Sequence, residues 1–184
     1  MINRFEIQRK DLPLKRFLTT FETKLVEPEM DKAIIKVINK QGDRQNYQSN
    51  VKAQMTEWQM WNEPGFRRLA IYICDMAKEI SKKVYNRTFV PYMQDMWGMK
   101  YKSGETAVIH DHWPAVWSCA YYVNAPKNAP GLYFSEMGDQ GGERKLEQGL
   151  LIMFPGDTKH GVRSQKFKGY RYVVSANLYD KQHK

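Results

Sequence analysis

"AVIHDHWPAVWSCAYYV", residues 107–123, places two histidines two apart inside an apolar, aromatic run. Along a β-strand, residues two apart point to the same face. His110 and His112 are therefore expected to project together, with Asp111 facing the other way. Histidine is a poor filler for a β-rich core, because its ring nitrogens must be satisfied. The spacing suggests that the nitrogens are used. Two imidazoles on one strand supply two of the three legs needed to grip a divalent metal.

A third leg stands in "FPGDTKHGV" (154–162), where His160 follows an apolar strand and a Pro-Gly turn. The remaining histidine, His183, is in the tail. Taken singly, a strand histidine is more often a hydrogen-bonded structural residue than a ligand, and His160 suits a surface turn. The combination outweighs this because the next segment is patterned too. In "GYRYVVSANLY" (169–179), Arg171, Val173, Ser175 and Asn177 share one strand face. An arginine pointing into an apolar barrel needs an anion, and its planar fork suits a carboxylate. Ser175 adds a hydroxyl donor. An edge-strand arginine paired with a nearby Asp or Glu is the plainer alternative.

Working outward, the whole second half has the texture of this stretch. Short apolar or alternating runs are split by Gly, Pro and Asn clusters, which reads as a β-sandwich or barrel. The first half differs. "EPEMDKAIIKVINKQGD" (27–43) carries Met30, Ala33, Ile34, Val37 and Ile38 at helical spacing and ends at Gly42. "NEPGFRRLAIYICDMAKEISKKVYN" (62–86) sets Leu69, Ile73, Met76, Ala77 and Ile80 on one helical face. "RFEIQ" (4–8) is expected to form one strand. The polar segment 44–56 is expected to be a loop with a short strand. The fold class is α+β: one domain over 1–184, with a helical support region at 1–90 and a jelly-roll, cupin-like core at 91–180.

The chain has 184 residues, 42% of them hydrophobic and 13% aromatic, enough for a sizeable core and unlike a disordered chain. No apolar run approaches the roughly 20 residues of a membrane span. The N-terminal "MINRFEIQRKDLPLKRF" has no hydrophobic segment of the signal-peptide kind. Cys74 and Cys119 sit in apolar contexts and read as reduced, buried thiols, which points to the cytoplasm. The net charge of +9 could attract nucleic acid, an acidic protein or an anionic metabolite. Without a base-stacking or zinc-finger pattern, a solvated surface is the favoured reading.

A longer pattern runs through residues 95 to 180. It comprises Trp97, Tyr101 with Gly104, His110 with His112, and Ser118 followed by Tyr121, Tyr122 and Val123. It continues with Gly149 to Pro155, His160, Arg171, Ser175 and Asn177. In order and gaps this resembles the iron(II)/2-oxoglutarate-dependent oxygenase superfamily. The similarity is strongest to its short oxygenases of bacteria and marine phages. Two departures stand out. Trp113 directly follows the second histidine, with proline only at Pro114. Val173 replaces a serine of the family pattern, which removes one hydrogen bond near the co-substrate.

The resemblance implies a double-stranded β-helix and the cofactors iron(II), 2-oxoglutarate and O2, with ascorbate as an optional addition. It implies a host cytoplasmic location if the chain is phage-encoded. The superfamily at large uses two histidines and a carboxylate, and here His112 stands where the carboxylate is usual. Three metal sets stay open: His110, His112 and His160, which the same-face rule favours; a set with Asp111 turned inward by a bulge; and a set reached by Asp157 from its turn. A halogenase-type site would instead have a small, non-ligating residue at this position. For the co-substrate, the resemblance implies Arg171 on the distal carboxylate, assisted by Ser175 and Tyr101, with Asn177 and Tyr122 nearby. Trp97, Trp113, Trp117, Tyr121 and Tyr122 would line the site and keep water out.

The implied activity is hydroxylation of an aliphatic C–H, in a peptidyl-prolyl or other protein substrate or in a small metabolite. Segment 44–61 and the "GDQGGERK" loop (138–145) are the expected substrate selectors. Two other classes compete. One is a cupin-type three-histidine dioxygenase that does not use 2-oxoglutarate. The other is a non-catalytic basic module, binding nucleic acid or protein on a degenerate barrel.

Overall fold

The computed structural model describes residues 8–12, 18–137 and 145–181. The two helical patterns form helices. Helix α1 spans Pro28–Gln41, with Pro28 in the first turn, where its missing N–H breaks no intrahelical bond. It closes at Gly42, whose N–H donates to Ile38 O at 3.2 Å. Helix α2 spans Phe66–Tyr85 and ends at Asn86 in the left-handed conformation. Each helix buries its apolar stripe, Ile34 and Ile38 on one and Leu69, Ile73, Met76 and Ile80 on the other.

The strands are β1 (Gln8–Leu12), β2 (Leu18–Lys24), β3 (Val51–Lys52), β4 (Gln54–Met55), β5 (Pro91–Tyr101) and β6 (Thr106–His110). They continue with β7 (Trp117–Tyr122), β8 (Tyr133–Phe134), β9 (Leu150–Pro155), β10 (His160–Val162) and β11 (Arg171–Asp180). A seven-stranded sheet runs β1-β2-β9-β7-β11-β5-β4, and a four-stranded sheet runs β3-β6-β10-β8. The named pairings are antiparallel. Two antiparallel sheets facing each other, with helices against the outer face of the larger one, form a double-stranded β-helix of the α+β class.

Alternation assigns each strand residue to one of two cores. On β7, Trp117, Cys119 and Tyr121 face the helices, whereas Ala120 and Tyr122 face the small sheet. On β11, Tyr172, Val174, Ala176 and Leu178 face the helices. Val173 faces the space between the sheets, and Arg171 and Ser175 share its face. A sheet covered on both sides has strands that read as unbroken apolar runs, as "WSCAYY" does. The helices approach the sheet closely at Gly98. A Cβ there would lie 2.5 Å from Ile38 Cγ1 and 3.0 Å from Phe66 Cζ.

The first ninety residues are not only a helical support. They also supply β1 and β2, which extend the large sheet beyond β9, and β3 and β4, which edge the two sheets. The expected strand "RFEIQ" lies outside the described residues except for Gln8, which opens β1. Segment 44–56 carries two short strands where one was expected. Residues 138–144 of the "GDQGGERK" loop and His183 lie outside the described residues. Among the described residues, no helix is long and apolar enough to cross a membrane.

Candidate metal centre

His110 ends β6 and His160 begins β10, and the two are direct partners across the antiparallel ladder. His112 arrives by another route. β6 has already ended, and the chain turns there with His112 N–H donating to Gly156 O at 2.7 Å. The same-face rule therefore gives the right neighbour for a reason that does not apply: a turn pinned to the β9–β10 connection brings His112 in. That pinning needs Gly156, since a Cβ there would lie 2.1 Å from Ala115 O. Ring centroids are 4.9 Å apart for His110 and His112, 4.6 Å for His110 and His160, and 5.0 Å for His112 and His160. One ring nitrogen from each lies within 4.8 Å of the other two.

The hydrogen bonds prepare two of these rings as ligands. His110 Nδ1 lies 2.6 Å from Val108 O and His160 Nδ1 lies 2.8 Å from Thr158 O. A carbonyl only accepts, so each Nδ1 carries the proton and each Nε2 keeps its lone pair. Burial is the main cause that lowers all three imidazole pKa values. His112 falls to about 3, with His160 and His110 adding repulsion, and His160 falls to about 4, with His110 adding to it. His110 moves in the same direction. At neutral pH the cluster consists of neutral imidazoles, the form that binds a metal.

Arg171 opens β11 directly opposite Tyr101 on β5. It is 1% exposed, and its guanidinium carbon sits 4.0 Å from the centroid of the Tyr101 ring. One terminal nitrogen donates to Pro130 O, while Nε has no partner among the described residues. The buried Trp97 Nε1 is likewise without an acceptor. Arg171, Ser175, Tyr101, Tyr122 and Trp97 line one narrow cavity of ≈ 30 Å³ together with the three histidines. A buried cation with a spare donor beside three neutral imidazoles suits a chelating anion that spans from a metal to the guanidinium.

Other expected residues stand elsewhere. Asp111 is exposed, and its Oδ1 accepts from Trp113 N at 3.2 Å. Asp157 is exposed as well. Neither belongs to the one cluster of candidate ligands found among the described residues, which is the all-histidine set. Asn177 packs behind His112 rather than on the cavity wall, its Nδ2 lying 3.4 Å from His112 Nδ1. Tyr122 lines the cavity, but its hydroxyl accepts from Leu132 N at 3.1 Å.

Of the five aromatic residues expected to line the site, two do. Trp97 and Tyr122 line the cavity. Trp113 is 76% exposed, and Trp117 and Tyr121 face the helices, because odd-numbered β7 residues point away from the small sheet. In segment 44–61, Trp58 reaches the site region by packing edge-on against Trp97 at 5.0 Å between centroids. Sequence reasoning did not single out Pro130, and of Gly156 it noted only the Pro-Gly turn at 155–156.

No protein-family model and no curated protein sequence matches the chain. Solved structures do match in fold. A prolyl-4-hydroxylase of Pseudomonas putida superposes with a TM-score of 0.66 at 11% identity, covering 88% of this chain and 92% of its own. The viral collagen prolyl hydroxylase of Paramecium bursaria Chlorella virus-1, solved with 2-oxoglutarate, gives 0.61 at 15%, covering 85% and 94%. A prolyl hydroxylase of Trichoplax adhaerens, in complex with a hypoxia inducible factor peptide fragment, gives 0.61 at 13%, covering 83% and 79%. At these identities the likeness is one of fold: the chain has the double-stranded β-helix that these hydroxylases have.

Proposed function

We propose that the protein is an iron(II)- and 2-oxoglutarate-dependent dioxygenase that hydroxylates an aliphatic C–H, with a prolyl residue in a peptide or protein as its substrate. The observation that carries this reading is the single cavity joining three neutral imidazoles to a buried arginine with an unpartnered Nε. His110, His112 and His160 would hold the metal. Arg171 would take the distal carboxylate of the co-substrate, held flat on Tyr101 and aided by the Ser175 hydroxyl. Held by these residues, iron(II) with 2-oxoglutarate and O2 would supply the oxidant for hydroxylation, with succinate and CO2 as the co-products.

The chain's own contributions are binding, orientation and exclusion of water. The Val108 and Thr158 carbonyls fix two imidazoles with Nε2 unprotonated. Trp97, Tyr122 and Leu132 wall the cavity with apolar surface, which strengthens the guanidinium–carboxylate attraction. The fold likeness to prolyl hydroxylases supports the peptidyl-prolyl substrate.

The all-histidine cluster favours one second reading, a three-histidine dioxygenase that does not use 2-oxoglutarate. Such an enzyme has no need of a buried anion clamp. The deciding experiment is anaerobic addition of iron(II) and 2-oxoglutarate, followed by oxygen. The proposal expects a charge-transfer absorption band and then succinate, with both lost in His160→Ala. Metal binding without the band or succinate supports the second reading.

A further inference from the structure

His110 and His160 each give their Nδ1 proton to a backbone carbonyl, which cannot change role. His112 has no such carbonyl. Its Nδ1 faces the side-chain amide of Asn177, a group with an acceptor at one end and a donor at the other. Asn177 is 5% exposed and sits mid-sheet, with Ser118 of β7 on one side and Asp95 of β5 on the other as direct ladder partners. Ser118 Oγ–H donates to Asn177 Oδ1 at 2.9 Å, and the Asp95 carboxylate is hydrogen-bonded by Asn177. In this arrangement the amide presents Nδ2 to His112.

An N–H facing Nδ1 requires Nδ1 to be the acceptor, so the proton lies on Nε2. That tautomer offers no Nε2 lone pair. An amide turned over presents Oδ1, accepts the Nδ1 proton and frees Nε2. Ser118 tolerates the turn, because a hydroxyl donates or accepts by rotating; Asp95 gives up its Nδ2 donor, and its half-buried carboxylate turns to water instead.

We propose that Asn177 is the positioning residue that selects the metal-binding tautomer of His112, its amide turning from Nδ2-inward to Oδ1-inward as a metal is taken up. The inference rests on the three-histidine metal centre proposed above. It makes His112 the conditional ligand, with His110 and His160 as a permanently prepared pair.

The test uses zinc(II), which is diamagnetic, and the full chain labelled with 15N at histidine. In metal-free protein, the ring nitrogen shifts are expected to give Nδ1–H for His110 and His160 and Nε2–H for His112. With zinc, all three are expected as Nδ1–H. Asn177→Leu removes the acceptor and is expected to weaken zinc binding by about 10- to 100-fold. Asn177→Asp combined with Asp95→Asn, which keeps one carboxylate and one amide at the pair, offers an acceptor to His112 and is expected to keep the affinity within a few-fold and to show His112 as Nδ1–H even without zinc. If His112 is Nδ1–H in metal-free wild type, or if the Asn177→Asp/Asp95→Asn variant binds as weakly as Asn177→Leu, this inference is overturned while the centre stands. If zinc moves none of the three imidazoles, the centre falls and the inference with it.

Discussion

Arg171 and Tyr101 face each other across β11 and β5, with the guanidinium lying over the phenol ring at 4.0 Å from its centroid. The ring is both a wall and a platform, because it keeps the planar fork from folding back along its own strand. Tyr101→Phe retains the platform, and Tyr101→Ala removes it. Tyr101→Phe is expected to leave 2-oxoglutarate affinity within a few-fold of wild type. Tyr101→Ala is expected to weaken it by about 30-fold, in line with a desolvated cation–π contact of about 2 kcal/mol. Anaerobic titration of the charge-transfer band measures both.

Arg171 itself is expected to be irreplaceable. Among the described residues of the cavity wall, Arg171→Ala removes the one charge that suits a carboxylate, and Arg171→Lys offers a point charge with no flat face for Tyr101. Both are expected to raise the 2-oxoglutarate dissociation constant by about 100-fold, on the scale of a lost buried charge pair. Zinc affinity should stay near the wild-type value. Unaltered 2-oxoglutarate affinity in Arg171→Ala would show that the anion is held elsewhere.

The metal-free protein is expected to lose stability as pH falls from about 6.5. The unfolded chain takes up protons on its histidines near that value. In the folded chain, His160 stays neutral to about pH 4 and His112 to about 3. The unfolded state therefore binds more protons across this window, and stability drops as pH decreases. Above pH 6.5 the histidines are neutral in both states and contribute no slope. Asp31 and Asp95, whose carboxyl pKa values burial pushes up, act in the opposite sense. The clean readout is the difference between wild type and His112→Leu: the variant's melting temperature should fall less steeply between pH 6.5 and 4.

Two glycines separate stability from site geometry. Gly98→Ala would press Ile38 and Phe66, side chains in the helix-facing core. It is expected to cost about 1–3 kcal/mol of unfolding free energy, with zinc affinity of the folded protein unchanged. Gly156→Ala would press the Ala115 carbonyl in the turn that carries His112. It is expected to weaken zinc binding more than 10-fold as well as destabilise the protein. Denaturant titration alongside zinc titration distinguishes the two patterns.

Some of this was legible in the chain because it depends on local periods. The stripe from Leu69 to Ile80 could only be buried as a helix, and Arg171, Val173 and Ser175 share a face because a strand alternates. The motif order from Trp97 to Asn177 gave the fold family and the three histidines. Strand alternation puts Asn177 on the Arg171 face, and the resemblance placed it near the co-substrate; only packing reveals that His112 stands in front of it.

The sequence by itself thus determined the helices, the β-rich second half, the candidate ligands and the arginine, since each follows from spacing between near neighbours. The tertiary structure alone decided that β1 and β2 extend the large sheet and that Trp117 and Tyr121 serve the helical core. It also decided that His112 enters from a turn and that Arg171 rests on Tyr101. These depend on contacts between residues far apart in the chain, formed when two sheets and two helices bury their apolar faces together, and no local period encodes them.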